Sequence, residues 1–112
     1  MNEIDLAVLR DLQSDAGAQF VSELLDTFFE EAPTLLAELR AARAAGDANR
    51  FRRAAHSIKS NSLTFGATAL AELARGLELG GLLAEDRAVS ALDALDAAYA
   101  RAARALKDLR DG

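Results

Sequence analysis

Apolar residues recur at three- and four-residue steps along almost the whole chain, the spacing of one face of an α-helix. Ile4, Leu6, Leu9 and Leu12 predict a short amphipathic helix over Ile4–Gln13. Val21, Leu24, Leu25, Phe28, Leu35, Leu36 and Leu39 predict a long helix from about Ala18 to Ala45. Pro33 lies inside it and removes a backbone donor, but the apolar register continues across it, which predicts a kink and not a break. Gly46 reads as a C-terminal cap and Asp47 as the next N-cap. A third helix is expected from Ala48 to Phe65, ended by Gly66, and a fourth from Thr68 to Leu79, closed by Gly80-Gly81. The fifth runs from about Asp86 to Arg110 on Val89, Leu92, Leu95, Tyr99, Ala102, Leu106 and Leu109. No strand alternation occurs. Short connections force antiparallel neighbours, so the expected fold is all-α: an antiparallel up-down four-helix bundle with a short additional N-terminal helix, forming a single domain over residues 1–112.

Composition narrows the function. The absence of cysteine excludes disulfides, zinc-thiolate sites and thiol catalysis, and a single histidine excludes a multi-histidine metal site. No stretch approaches the roughly 20 apolar residues of a membrane helix. The opening Met1-Asn2-Glu3-Ile4-Asp5 lacks the basic and apolar regions of a secretory leader, so a cytoplasmic location is expected. The net charge of −5 argues against a nucleic-acid partner. That charge is unevenly placed. From Ala48 to Ala71 there is no Asp or Glu, whereas Arg50, Arg52, Arg53 and Lys59 all fall there, and the only histidine, His56, lies inside this basic island.

On a helical wheel, Phe51, Ala54, Ala55, Ile58, Ser62 and Phe65 form the core stripe of the third helix. His56 falls about 140° from Phe51 and should project into solvent, with Lys59 and Ser60 as its i+3 and i+4 neighbours and Arg52 and Leu63 on the same side. A lone surface histidine is most often incidental, and a basic cluster is most often a solvated face. Against that, Ser60 is small, and Leu63 is apolar on a face that should be wet, a pattern of docking surfaces.

The run Ala55-His56-Ser57-Ile58-Lys59-Ser60-Asn61-Ser62, continuing through Phe65-Gly66-Ala67, resembles the signature of the histidine-containing phosphotransfer (HPt) domain family. Leu70, Leu73, Leu77 and Glu78 match the pattern that follows it, and Phe29-Glu30-Glu31-Ala32-Pro33 with Leu36, Leu39, Gly46 and Asp47 fits the family's long helix and turn. The likeness spans about Phe20 to Glu78. It departs at Ser60, where glycine is commonest.

The resemblance implies a two-component phosphorelay protein. His56 would be the phospho-acceptor, exchanging a phosphoryl group with the aspartate of response-regulator receiver domains, alone or within a hybrid histidine kinase. Lys59, one turn away, would stabilise phosphoryl charge in a loose transition state governed by positioning and electrostatics. Arg52, Arg53, Ser60 and Leu63 would dock the partner, the two arginines by drawing in its acidic pocket. Gly66 would be the structural turn. No cofactor is expected on this chain; Mg²⁺ is expected on the receiver, because the segment around His56 holds no carboxylate. No nucleotide-binding loop or kinase signature is present, so the chain should be a monomeric phosphocarrier without ATP chemistry, not an enzyme.

Two other readings stand beside this one. The dimerisation domain of a sensor kinase typically places an acid after its histidine and a proline a few residues later; here Ser57 follows, and no proline comes after. A non-catalytic helical interaction module would leave His56 incidental, and only the joint spacing of His56, Lys59 and Gly66 argues against it.

Overall fold

The computed structural model describes residues 3–82 and 85–111, without the side chains of residues 85 and 86. The described residues form five helices: α1 (Leu6–Ala16), α2 (Ala18–Ala45), α3 (Ala48–Thr64), α4 (Thr68–Gly80) and α5 (Glu85–Asp111). No strand occurs among the described residues, and no helix is long and apolar enough to cross a membrane. Consecutive helices pack on one another, α5 also packs on α2, and α1 leans on α2 and α3.

The caps follow local chemistry. Asp5 Oδ1 accepts from the Ala7 amide at 3.1 Å and starts α1. Asp47 Oδ1 accepts from the Arg50 amide, also at 3.1 Å, and starts α3. Gly46 ends α2 in the left-handed region at φ +67°. Pro33 sits on an exposed position of α2, which continues through it as one helix.

The core is aliphatic, with one aromatic cluster. The Phe28 ring lies 5.3 Å from Phe65 and 5.8 Å from Tyr99, so α2, the end of α3 and α5 meet there. Ser62 is fully buried in the α3 stripe; its hydroxyl donates to the Ile58 carbonyl at 2.6 Å, which satisfies it without a tertiary partner.

Several boundaries differ from the periodic pattern. Ile4 is buried but precedes α1, which runs on to Ala16, past Gln13. Thr64 is the last residue of α3 and Phe65 its cap, while α4 extends through Gly80. On α5, Val89 and Leu109 are exposed; the buried stripe is Ala88, Leu92, Leu95, Ala98, Ala102, Ala103 and Leu106. A straight helix drifts by about 20° per heptad against a seven-residue repeat, so residues at the ends of a long stripe rotate off the core.

The α3–α4 turn is built around Gly66. Its φ is +77°, and a Cβ there would lie 2.6 Å from the Asp5 carbonyl oxygen. The Gly66 carbonyl accepts from the Asp5 amide at 2.7 Å. The turn is thus shaped by the segment leading into α1 as well as by its own backbone. His56 lies ten residues before Gly66 and Glu78 twelve after it. At 1.5 Å per residue these are paths of about 15 and 18 Å, so the two side chains end up level on adjacent helices.

Candidate functional site

His56 projects from the middle of α3 with 57% of its side chain exposed, as the wheel requires. Its ring is not free to turn. Nδ1 lies 2.6 Å from Glu78 Oε2 on α4, and the other carboxylate oxygen, Oε1, accepts from Lys59 Nζ at 2.7 Å. Lys59 and then His56 hold the Glu78 carboxyl below its ordinary range, and partial burial opposes them. An ionised carboxylate can only accept, so Nδ1 carries the proton and the neutral ring presents its lone pair on Nε2.

The basic island looks different in three dimensions. The acid-free stretch of sequence is not free of acid in space: Glu78 bridges His56 and Lys59, and Glu30 and Glu31 of α2 line the depression beside the imidazole. Arg50 is paired with Glu38 at 2.7 Å. Of the four basic residues, only Arg52 and Arg53 make no ion pair among the described residues. Lys59 is 23% exposed, and its ammonium is turned toward α4.

Two depressions meet at His56 and Ser57. One is lined by Glu30, Glu31 and Thr34 of α2 with Ser60 and Asn61 of α3. The other is lined by Arg52, Arg53 and Glu78. Ser60 is exposed beside the imidazole. Leu63 is 50% exposed further along α3 and lines neither depression. Gly66 belongs to the buried turn. Among the described residues, no three His, Cys, Asp or Glu side chains gather into a possible metal site.

Glu78 is the contact that sequence reasoning did not assign a role. Its signal was its position at the edge of a buried stripe: it follows Leu77 and lies one turn after Ala74, both buried, whereas Glu72 is exposed. A boundary acid next to a core stripe can reach sideways to the neighbouring helix; which residue it meets there depends on how the helices pack.

Comparison with known proteins places the chain in a family. The family model described as Hpt domain matches residues 23–109. Comparison with curated protein sequences gives no match. Among solved structures, the crystal structure of histidine-containing phosphotransfer protein B (HptB) from Pseudomonas aeruginosa is similar, at 32% identity over 97% of this chain and 95% of that one, with a TM-score of 0.85. The family match spans most of the long second helix, the histidine-bearing third helix and the fourth helix that supplies Glu78, and the structural match extends over nearly the whole chain; the chain belongs to the Hpt domain family.

Proposed function

We propose that this chain is a phosphocarrier of a two-component phosphorelay in which Nε2 of His56 takes a phosphoryl group from, and returns it to, the aspartate of a response-regulator receiver domain. The observation that carries this is the His56 Nδ1–Glu78 hydrogen bond on an otherwise exposed imidazole. In the accepting direction Nε2 attacks the phosphorus of the partner's aspartyl phosphate. The N–P bond forms as the P–O bond to the aspartate breaks, and the aspartate leaves as a carboxylate. The positive charge that develops on the ring is met by Glu78, which also keeps the proton at Nδ1. The donating direction reverses these steps.

Lys59 acts from one turn away. Its ammonium has three donors, of which Glu78 uses one, leaving the others for phosphoryl oxygens. Arg52 and Arg53 attract the acidic site of the receiver, and Ser60 leaves clearance for its rim. Leu63 adds apolar contact at the margin. Mg²⁺ is assigned to the receiver in this scheme: of the carboxylates near the ring, Glu78 is already held by His56 and Lys59, and Glu30 and Glu31 are a pair without a third protein ligand among the described residues. The chain supplies no ATP chemistry.

The scaffold for this role is an antiparallel up-down four-helix bundle with α1 as the additional helix, acting as one monomeric domain. Ion pairs support the antiparallel sense of α2 and α5: Arg40, late in α2, meets Asp93 and Asp96, early in α5, while Asp26, early in α2, meets Arg110, late in α5.

His56→Gln tests the proposal. The side chain is on the exposed face, where substitutions change stability by about 0.5 kcal/mol or less, so the fold should persist while phosphoryl acceptance is lost. Acid-labile labelling retained in the variant would move the acceptor elsewhere and refute it. Profiling the labelled wild type against a set of receivers would then identify partners.

A further inference from the structure

The surface around His56 changes charge sign across the imidazole. Glu30 and Glu31 border the depression beside Ser60 and Asn61, past the ring toward the C-terminal end of α3; Arg52 and Arg53 stand one turn before it, four and three residues before His56, and Arg53 also borders the α2 groove with Leu35 and Glu38. All four are exposed, and none makes an ion pair among the described residues. This sets them apart from their neighbours. Arg50 is compensated by Glu38, and Lys59 by Glu78, both within 2.7 Å. The charges without an ion pair near the ring are therefore one acidic pair and one basic pair, displaced from it in opposite directions along α3.

A net positive site would attract the acidic pocket of a receiver without regard to its orientation. A site with one acidic and one basic side does not. Like charges juxtaposed across an interface are penalised and opposite ones favoured, so such a surface fixes register and discriminates among partners. Glu31 also borders the next depression along the α2–α3 groove, with Thr27 and Thr64.

We propose that Glu30 and Glu31 select the receiver: the partner carries a basic rim that lies over α2 and turns its acidic side toward Arg52 and Arg53, so that its aspartate approaches Nε2 in one orientation only. This rests on the reading of His56 as the exchanging residue. The occupant is a receiver domain of that polarity, and receivers with an acidic rim on both sides are excluded by Glu30 and Glu31.

The test uses the full chain, phosphorylated with phosphoramidate, discharging to purified receivers at about 0.05 M and about 0.5 M salt, where screening lengths differ severalfold. In Glu30→Lys/Glu31→Lys, transfer to a cognate receiver should slow by about 10-fold at low salt, in the range of steering effects on association, and the loss should shrink at high salt. The receivers that discharge the wild type fastest should be those with a basic rim. A cognate receiver whose rim lysine is changed to glutamate should lose rate with the wild type and regain it with the reversed variant. Phosphoramidate should still label His56 in every variant. Wild-type rates for the reversed variant with all receivers at low salt would overturn the selection by Glu30 and Glu31 while leaving His56 as the acceptor. A labelled wild type that no receiver discharges would overturn both.

Discussion

Replacing Gly66 by alanine should be among the more damaging small changes in this chain, and the structure allows its cost to be divided. Gly66 has φ +77°, and Gly46 has φ +67°. Placing an L side chain in that region costs about 1–2 kcal/mol at either site. Removing a glycine restricts the unfolded chain and returns about 0.4–1 kcal/mol, again at either site. What differs is the surroundings. A Cβ at Gly46 meets nothing within 4 Å. At Gly66 it would lie 2.6 Å from the Asp5 carbonyl oxygen and 3.1 Å from Val8 Cβ. Neither is the free end of a flexible side chain, so the segment before α1 must move. That movement stretches or breaks the 2.7 Å bond from the Asp5 amide to the Gly66 carbonyl, worth about 1 kcal/mol, and loosens the buried Ile4 and Leu9, whose full exposure costs about 1.5–3 kcal/mol each. Gly66→Ala should therefore cost about 2–3 kcal/mol more than Gly46→Ala. For a domain near this size, that is a further fall in Tm of about 8–24 °C, at roughly 4–8 °C per kcal/mol. Thermal unfolding of the two variants side by side measures the difference. Hydrogen exchange at the Leu9 amide, which donates to the Asp5 carbonyl at 3.3 Å, reports whether α1 has come away. Equal Tm losses with unchanged protection at Leu9 would refute the Asp5 contact as the reason glycine is needed. Phosphoramidate labelling of His56, about 15 Å along the helix, should survive in either case.

Glu78→Gln should release the His56 tautomer, visible as a loss of Nδ1–H preference in ¹⁵N spectra, and should slow labelling by phosphoramidate; an unchanged tautomer would remove Glu78 from its positioning role. Because pairing depresses the Glu78 pKa below its ordinary 4.5, its stabilisation is complete above that value and fades as pH falls through the lower folded value. The stability gap between wild type and Glu78→Gln should accordingly close as pH falls below the ordinary Glu78 value of 4.5, and a gap that keeps widening there would show that the sign is wrong. Lys59→Ala should slow transfer within the receiver complex more than it weakens the complex, by less than the roughly 10²-fold seen for electrostatic donors in buried sites; a large loss of affinity with normal transfer would make it a docking residue. Ser60→Gly should keep receiver exchange, while Ser60→Leu should block it without changing Tm or phosphoramidate labelling, since reacting atoms must come within about 3–3.5 Å; wild-type exchange in the Leu variant would refute the clearance argument.

The helices and the exposure of His56 were legible from the sequence because both depend on short-range order. Backbone bonds link residues four apart, caps act over two or three, and one turn sets which side of α3 faces water. The Asp47 cap, the Gly46 terminus and the core stripe of Phe51, Ala54, Ala55 and Ile58 are all of this kind. The charge around the imidazole is not. A window of sequence free of Asp and Glu describes one strip of one helix, whereas neighbouring helices lie only about 8–10 Å apart and extend their side chains into the same space. Packing brings Glu78 onto His56 across 22 positions, sets Glu30 and Glu31 beside it from α2, and uses Glu38 to neutralise Arg50. The same holds at Gly66, whose cap role is local but whose intolerance of a side chain comes from Asp5, far away in the chain. Periodicity thus determined which way His56 faces; only the helix packing decided which nitrogen of the ring is held and which is left without a partner, because the carboxylate that holds Nδ1 arrives from a different helix.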